Sequence, residues 1–171
     1  MAARQASVVT DAITRFTRTG IDLESGKSLE ADIIVSATGL ILNTLGDVEF
    51  RVDGAAVTPS DSFTHRGIML SGLPNLAMVF GYLRSSWTLR ADMVSDYVCR
   101  LLTHMQARGA DSVVPALRDQ DQDMAARPWV DPENFNAGYI MRALERLPKQ
   151  GDRQPWVMTQ DYFDDRNTLP V

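Results

Sequence analysis

The sequence contains a single cysteine, two histidines and no long hydrophobic run. With only Cys99, no internal disulfide can form, and two histidines without cysteine partners do not give the spacing of a zinc site. The longest apolar stretch, residues 76–83, is far too short to span a bilayer, and the N-terminal residues lack the charged-then-apolar pattern of a secretion signal. These absences lead us to expect a protein of the reducing cytoplasm with no membrane span.

Clusters of basic residues are also missing. The chain has 17 lysines and arginines against 22 aspartates and glutamates, which gives a formal net charge of −5. Binding to phosphate groups needs a basic surface, so nucleic acid and anionic membranes are not expected as the main partners. At 171 residues with 44% hydrophobic content, the chain is long enough to form a unit with a sizeable core.

The 11 glycines form none of the common nucleotide-binding or nucleophile motifs. Neither G-x-G-x-x-G nor the P-loop pattern occurs, so no phosphate cradle of those types is predicted. The G-x-S-x-G elbow of serine hydrolases is absent as well. His65 and His104 are expected to be structural, and the sequence predicts no catalytic residue and no metal site.

The most informative stretch runs from Asp32 to Gly39 and reads Asp-Ile-Ile-Val-Ser-Ala-Thr-Gly. Its apolar run predicts a strand buried on both faces, and Ala37, Thr38 and Gly39 close that strand with small side chains. Open α/β sheets bind cofactors where such strands end, because the backbone can approach a ligand there. The alternative is a tight turn after the strand that contacts no ligand.

Other strand signals lie mostly in the first half of the chain. Residues 48–57 give the clearest one, because apolar residues alternate with polar ones up to a two-residue turn at Asp53-Gly54. Together with the turn at residues 25–27, the early signals predict a β-meander that leads into the buried strand. Further strands are predicted at residues 7–16, 21–23 and 76–80.

Helix signals follow. Apolar residues spaced three and four apart predict a long helix from Leu89 to Met105, ended by Gly109 and capped by Ser86 or Thr88. A shorter helix is predicted over residues 137–147. Between the two helices, residues 118–132 are polar and acidic, which predicts a surface loop.

Several segments, in the same order along the chain, resemble the flavin-containing and Baeyer–Villiger monooxygenases. The similarity is greatest to the branch that contains the ethionamide-activating monooxygenase of mycobacteria, and it covers nearly the whole chain. The segments that carry the resemblance are residues 21–40, 72–82, 85–92, 138–142 and 147–151, with Pro155-Trp156.

The resemblance implies an α/β fold that is the C-terminal part of an FAD/NAD(P)-binding, Rossmann-like flavoprotein fold. A β-meander and a long helix would be present, whereas the N-terminal βαβ unit would be absent. The glycine-rich FAD fingerprint, the NADPH turn and the catalytic arginine of the Baeyer–Villiger branch have no counterpart in this sequence. Residues 1–110 would belong to the FAD/NADP-binding region, and residues 111–171 would form a loop and helix extension that packs on it.

The resemblance also implies a set of cofactor-binding residues. Small residues at positions 37–39 would lie at the junction of the FAD and NADPH domains, and the start of the long helix would lie beside the flavin ring. Tyr82 stands where related disulfide reductases have an acidic residue, which favours the monooxygenases. An alternative is that Trp87 only packs against the helix start and the Ser85-Ser86 pair only caps it. The implied cofactor-binding residues are Ala37, Thr38, Gly39, Gly81, Tyr82, Ser86, Trp87, Thr88 and Leu89.

An intact relative would use NADPH to reduce FAD and would transfer one oxygen atom of O₂ to a small-molecule substrate, either a ketone or a sulfur or nitrogen centre. Both cofactors, FAD and NADP, would bind only together with the N-terminal part, so the chain by itself is expected to be inactive. The alternative is a non-catalytic remnant that serves as an interaction module, pairing with itself or with a separate N-terminal half.

Overall fold

The structure, a computed structural model, describes residues 6–43 and 45–169. The chain divides into two compact units, Met1–Gly39 and Leu40–Val171. The predicted boundary at residue 110 stays a prediction, and the outer ends of the predicted domain ranges, residues 1–5 and 170–171, lie outside the described residues.

The first unit is an antiparallel meander of three strands in the order β1 (Ile13–Thr17), β2 (Gly20–Leu23) and β3 (Ser28–Glu30). This confirms the predicted β-meander. The first strand begins at Ile13 rather than residue 7, because its short partner β2 ends at Leu23, which pairs with Ile13. Gly20 is needed in β2, since a Cβ there would overlap the carbonyl oxygen of Leu29 on the neighbouring strand.

The predicted buried strand at residues 32–36 is wrong. These residues have no ladder partner in the described part of the chain, and the side chains of Ile33 and Val35 are each 82% exposed. A strand buried on both faces needs strands on either side and layers above and below it. The three strands of the first unit pair with one another and leave this apolar segment uncovered.

The second unit contains three two-stranded antiparallel ladders. The predicted hairpin is confirmed, because Asp53 and Gly54 both take positive φ values, 51° and 83°, as a tight hairpin turn requires. The strands of the other two ladders are only two residues long, which is too short for an alternating apolar and polar pattern to show in the sequence. The strands are β4 (Phe50–Val52), β5 (Ala55–Val57), β6 (Thr64–His65), β7 (Met69–Leu70), β8 (Arg127–Pro128) and β9 (Lys149–Gln150).

The long helix α1 spans Trp87–Arg108 and ends at Gly109, whose φ of 62° allows its N–H to bond to carbonyl groups of the last turn. The prediction of this helix is confirmed. Of its regularly spaced apolar residues, Met93, Tyr97, Val98 and Leu101 pack on the core, whereas Leu89 and Leu102 are exposed. The fully buried positions of the helix are Arg90 and Val94. In the described part of the chain, no helix is long and apolar enough to cross a membrane.

Two short α-helices follow α1 in the described part of the unit, besides 3₁₀ turns at Leu45–Asp47, Pro59–Asp61 and Asp119–Asp121. The helix predicted over residues 137–147 is broken into α2 (Gly138–Met141) and a single 3₁₀ turn at Leu144–Arg146, because the Ala143 N–H bonds three residues back to Ile140. The helix α3 (Tyr162–Thr168) was not predicted. Its N-cap is Asp161, whose carboxylate accepts the N–H groups of Phe163 and Asp164.

The core of this unit consists of two apolar clusters. The larger one surrounds Trp129, a fully buried residue with the ring of Phe80 edge-on against it. The smaller one packs the middle of α1 against β7 and the end of α3. The buried residues of the larger cluster are Leu70, Leu73, Phe80, Trp129, Val130, Ile140, Ala143, Leu147 and Met158, and those of the smaller are Ile68, Met69, Val94 and Leu169.

The second predicted strand, residues 76–80, has no ladder partner among the described residues. Its side chains alternate as a strand's do, with Ala77 and Val79 outward and Phe80 buried. Its one backbone hydrogen bond among the described residues joins the Met78 N–H to the Ile68 carbonyl. The prediction of a paired, buried strand is therefore wrong for this chain, although one face of the segment does pack on the core.

We expect His65 to make the protein sensitive to acid. Its ring lies 5.5 Å from that of Trp156, and burial, with a smaller effect from Arg66, lowers its pKa to about 4. The folded state therefore resists protonation more than the unfolded state, whose pKa is about 6.5. The stability that follows from keeping His65 neutral is fully present above about pH 6.5, and it is lost as the pH falls from there towards 4.

The measurement is the free energy of unfolding in urea at pH 7 and pH 4.5. In His65→Gln the loss between the two pH values should be smaller than in the wild type. His104→Gln, at an exposed position of α1, is the matched control and should keep the wild-type loss. An unchanged loss in His65→Gln would contradict the prediction.

Candidate functional site

Four of the nine predicted cofactor-binding residues, Ser86, Trp87, Thr88 and Leu89, lie at the start of α1. Ser86 is the N-cap residue, with extended backbone at φ −62° and ψ 132°, yet among the described residues its side chain makes no capping hydrogen bond. Its hydroxyl oxygen lies instead 2.8 Å from that of Thr88. Side chains at positions 86–89 are exposed, so the N–H groups of the first turn form an open, partly positive end of a helix.

Gly81 and Trp87 fit against each other at this helix start. Gly81 is buried, and a Cβ at that position would overlap the indole ring of Trp87. The same indole lies 5.5 Å from the ring of Phe80 and keeps 53% of its surface exposed. One face of Trp87 thus packs on the preceding segment and the other is open, so the packing role and the cofactor role proposed for it are compatible.

Tyr82 is 1% exposed, and its hydroxyl donates a 2.7 Å hydrogen bond to Oδ2 of Asp165. Burial, reinforced by this carboxylate, raises the pKa of the Tyr82 phenol, so that it stays protonated. The side chain is therefore engaged within the protein core. A contact between Tyr82 and a cofactor would have to use its backbone.

Arg90 connects the same carboxylate to the rest of the unit. Its guanidinium is fully buried, pairs with Asp165 through Nη1, and lies 5.5 Å over the ring of Tyr82. It also donates to the carbonyl oxygens of Thr159 and Arg66, each at 2.9 Å. Burial raises the pKa of the Asp165 carboxyl, and the charge of Arg90 opposes that rise. Since Arg90 lies in the first turns of α1 and Asp165 in α3, the pair fastens the start of one helix to the other.

Gln160 holds the backbone just before α1. Its Oε1 accepts the N–H of Leu83 at 2.8 Å, and its Nε2 donates to the carbonyl of Gly81 at 3.4 Å. The amide thus replaces both partners that a neighbouring strand would provide to this stretch. Residues 159–165 therefore hold the loop at residues 81–83 by side-chain hydrogen bonds and by the buried ion pair.

Sequence reasoning missed Arg90, Gln160 and Asp165. One signal for Arg90 was available, since it lies four residues before Val94 on the buried stripe of α1, where an arginine requires a buried partner. Gln160 and Asp165 lie about eighty positions along the chain from the groups they bind, and no local pattern links them.

The remaining predicted residues, Ala37, Thr38 and Gly39, end the first unit. All three are exposed and lie outside helices and strands, and Gly39 has a φ of 86°, which favours glycine. They belong to a different compact unit from the residues around α1. Their proposed role at the FAD–NADPH junction stays a prediction.

Curated proteins provide close matches to this chain. EthA of Mycobacterium tuberculosis, an FAD-containing monooxygenase, is 47% identical over 161 residues, which cover 94% of this chain and 32% of that protein. This chain is homologous to part of the FAD-containing monooxygenases. EthA of Mycolicibacterium smegmatis is 47% identical over 163 residues, covering 95% of this chain and 32% of its own length. AlmA of Acinetobacter baylyi, named a probable FAD-binding monooxygenase, is 46% identical over 165 residues, with 96% and 32% covered.

These matches confirm the resemblance to the C-terminal portion of this group of oxidoreductases. The chain spans about a third of the length of the FAD-containing monooxygenases that it matches. No family model matches the chain. No solved structure matches it either.

We expect Asp165→Asn to destabilise the second unit strongly. The substitution keeps the shape of the side chain but leaves the buried guanidinium of Arg90 without a counter-charge, which typically costs about 3–5 kcal/mol. Tyr82→Phe removes a single hydrogen bond to a charged group and should cost about 1.5–3 kcal/mol.

The measurement is the free energy of unfolding in urea. Asp164→Asn, one residue earlier in α3 and exposed, is the matched control and should change stability by less than about 0.5 kcal/mol. Equal stabilities of the two asparagine variants would show that the ion pair does not hold the unit together.

Proposed function

We propose that this chain is the portion of an FAD-dependent, NADPH-using monooxygenase that completes the flavin site, and that it oxidises nothing without the remaining two-thirds of such an enzyme. The observation that carries the proposal is the extent of the similarity. Relatives named for FAD are 46–47% identical over 94–96% of this chain, including the stretch that leads into α1. The substrate would be a ketone or a sulfur or nitrogen centre, and the location the cytoplasm.

The start of α1 is suited to a flavin because its backbone N–H groups are partly positive and are exposed to a ligand. The first turn of α1 has exposed residues and no side-chain cap among the described residues, so its N–H groups are free to meet a ligand. Such groups stabilise negative charge by about 0.3–1 kcal/mol at exposed sites, and more when partly buried. Bound FAD would supply the redox and oxygen chemistry. The chain's own contribution would be to place these N–H groups beside the pyrimidine oxygen of the ring and to exclude water with Trp87.

Two unpaired apolar segments support a Rossmann-like sheet to which this chain would add only part of the strands. Residues 32–36 and 76–80 both have the apolar composition of inner strands, and both keep unpaired backbone groups and exposed apolar side chains. Additional strands from the remaining two-thirds of such an enzyme would pair with these backbone groups and cover these side chains. The same segments are what favours the alternative, a non-catalytic module that uses its apolar surface to bind a second copy or a separate N-terminal half.

The first experiment purifies the chain together with a polypeptide that corresponds to the rest of a related monooxygenase. FAD content and NADPH-dependent O₂ uptake are measured for each part and for the mixture. Retention of FAD with NADPH oxidation in the mixture alone supports the proposal. A stable complex of the two folded parts that binds no FAD would contradict it and favour the interaction module.

A variant at the helix start makes the test specific. Thr88→Glu places a negative charge at the open end of α1, and it should lower both the FAD content of the complex and the flavin midpoint potential, because the charge opposes that of the reduced ring. Thr88→Gln has a similar size without the charge and should leave both values near those of the wild type. If the two variants changed the FAD content and the midpoint potential equally, the charge at this helix end would not act on the flavin, which would contradict the proposed contact.

A further inference from the structure

The loop at residues 81–83 is held by two separate contacts with a segment near the C-terminus. Its backbone bonds to the side chain of Gln160, and its Tyr82 hydroxyl bonds to Asp165, five residues further along that segment. The loop connects residues 76–80 to α1 and has no ladder partner among the described residues. Its position therefore depends on side-chain contacts rather than on a sheet.

The two hydrogen bonds of Gln160 follow the pattern of a parallel sheet. In such a sheet, a residue accepts the N–H of the residue after its opposite neighbour and donates to the carbonyl of the residue before it. The Oε1 of Gln160 accepts the Leu83 N–H at 2.8 Å, and its Nε2 donates to the Gly81 carbonyl at 3.4 Å. A primary amide carries both a donor and an acceptor. The side chain thus takes the place of one residue on a parallel neighbouring strand, opposite Tyr82.

This pattern is informative about the direction of the sheet. In an antiparallel ladder, a residue bonds to the N–H and the carbonyl of the same opposite residue, whereas Gln160 bonds to residues 81 and 83. The loop is thus bonded as the end of a parallel strand. Open α/β sheets of parallel strands bind cofactors in the crevice outside the carboxyl ends of those strands. Residues 81–83 follow the carboxyl end of the apolar segment 76–80, which supports a place for this loop on the cofactor side.

Gly81 links the position of the loop to the helix start. A Cβ at residue 81 would overlap the indole of Trp87, so the backbone of Gly81 lies directly against that ring. Gln160 bonds to the carbonyl of this same glycine. A shift of the loop would therefore move the indole or open a gap beneath it. Since Trp87 is the first residue of α1 and is 53% exposed, this shift would reach the open end of the helix.

Gln160 positions the loop without being part of the core. Its side chain is exposed, whereas the pair of Arg90 and Asp165 that joins the two helices is buried. Loss of the two neutral hydrogen bonds of Gln160 would leave no buried charge without a partner, in contrast to a change in the ion pair. A substitution at residue 160 should therefore free the loop while the second unit stays folded.

We propose that Gln160 is a positioning residue of the flavin site. It fixes the loop at residues 81–83, and through Gly81 it fixes the Trp87 indole and the first-turn N–H groups of α1 where they stabilise the reduced ring. Gln160 acts through the loop rather than through contact with the cofactor. The presence of a flavin rests on the proposed function, whereas the effect of Gln160 on the loop does not.

The first part of the test is NMR of the ¹⁵N-labelled chain alone. Gln160→Met keeps the length of the side chain and removes the amide, so the Leu83 amide hydrogen should exchange with deuterium at least threefold faster and the Trp87 indole signal should shift. Trp87→Phe identifies that signal among the three tryptophans. Gln122→Met, at another exposed glutamine, is the matched control and should change neither value. An unchanged exchange rate or an unmoved indole signal in Gln160→Met would overturn the proposal.

The second part measures the midpoint potential of FAD in the complex with the rest of a related monooxygenase. Gln160→Met should weaken the preference for reduced over oxidised flavin about threefold, which lowers the potential of a two-electron couple by about 14 mV. Val57→Ala is the control for stability, because it removes apolar packing from β5, outside the segments that hold the loop. It should destabilise the unit and leave the potential unchanged. A wild-type potential in Gln160→Met, or an equal fall in Val57→Ala, would overturn the proposal.

The two parts distinguish failure of this proposal from failure of the proposed function. If the wild-type complex bound no FAD while Gln160→Met still freed the Leu83 amide, the proposed function would be contradicted, and the role of Gln160 would be limited to the loop. If the wild-type complex bound FAD and its potential did not respond to Gln160→Met, the proposed function would stand, and only the role of Gln160 at the flavin would be overturned.

Discussion

The buried ion pair between Arg90 and Asp165 is the interaction on which the second unit depends. It joins the first turns of α1 to α3, and the Tyr82 hydroxyl donates a hydrogen bond to the same carboxylate, whereas the buried Nε of Arg90 has no partner among the described residues. Removing two charges from water is costly, and only such dense pairing compensates for it. A buried pair of this kind fixes one arrangement of the two helices rather than several similar ones. The open helix end before Arg90 is therefore held in a defined place even though its own residues are exposed.

Around this pair, a C-terminal segment substitutes for a missing sheet neighbour. Gln160 supplies one donor and one acceptor to residues 81–83, as a strand would, and it can do so from a short connection. Farther from the ion pair, residues 76–80 lose that support and keep an exposed edge. In the second unit, the helix start is thus held by hydrogen bonds and the ion pair, whereas the segment before it lacks a neighbouring strand.

The sequence predicted the features that depend on neighbouring residues. The Asp53-Gly54 hairpin and the helix ended by Gly109 follow from local turn chemistry and spacing, and both are present. Residues 32–36 and 76–80 have the composition of inner strands, but composition does not supply strand partners, and residues 6–43 and 45–169 contain none for them. The site shows the same division. The sequence predicted a helix from Leu89 with a cap at Ser86 or Thr88, and the helix begins close by, at Trp87. Gln160 and Asp165 instead bind groups about eighty positions away along the chain, which no local pattern records.

The close fit of Gly81 beneath the indole of Trp87 has a consequence for the history of the protein. The two positions are not free to vary independently, because any side chain at residue 81 would collide with a tryptophan at residue 87. A lineage that replaced the glycine would first have to accept a smaller residue at the helix start, and would thereby lose the half-exposed aromatic surface there. Sequences of this group should therefore change at both positions or at neither.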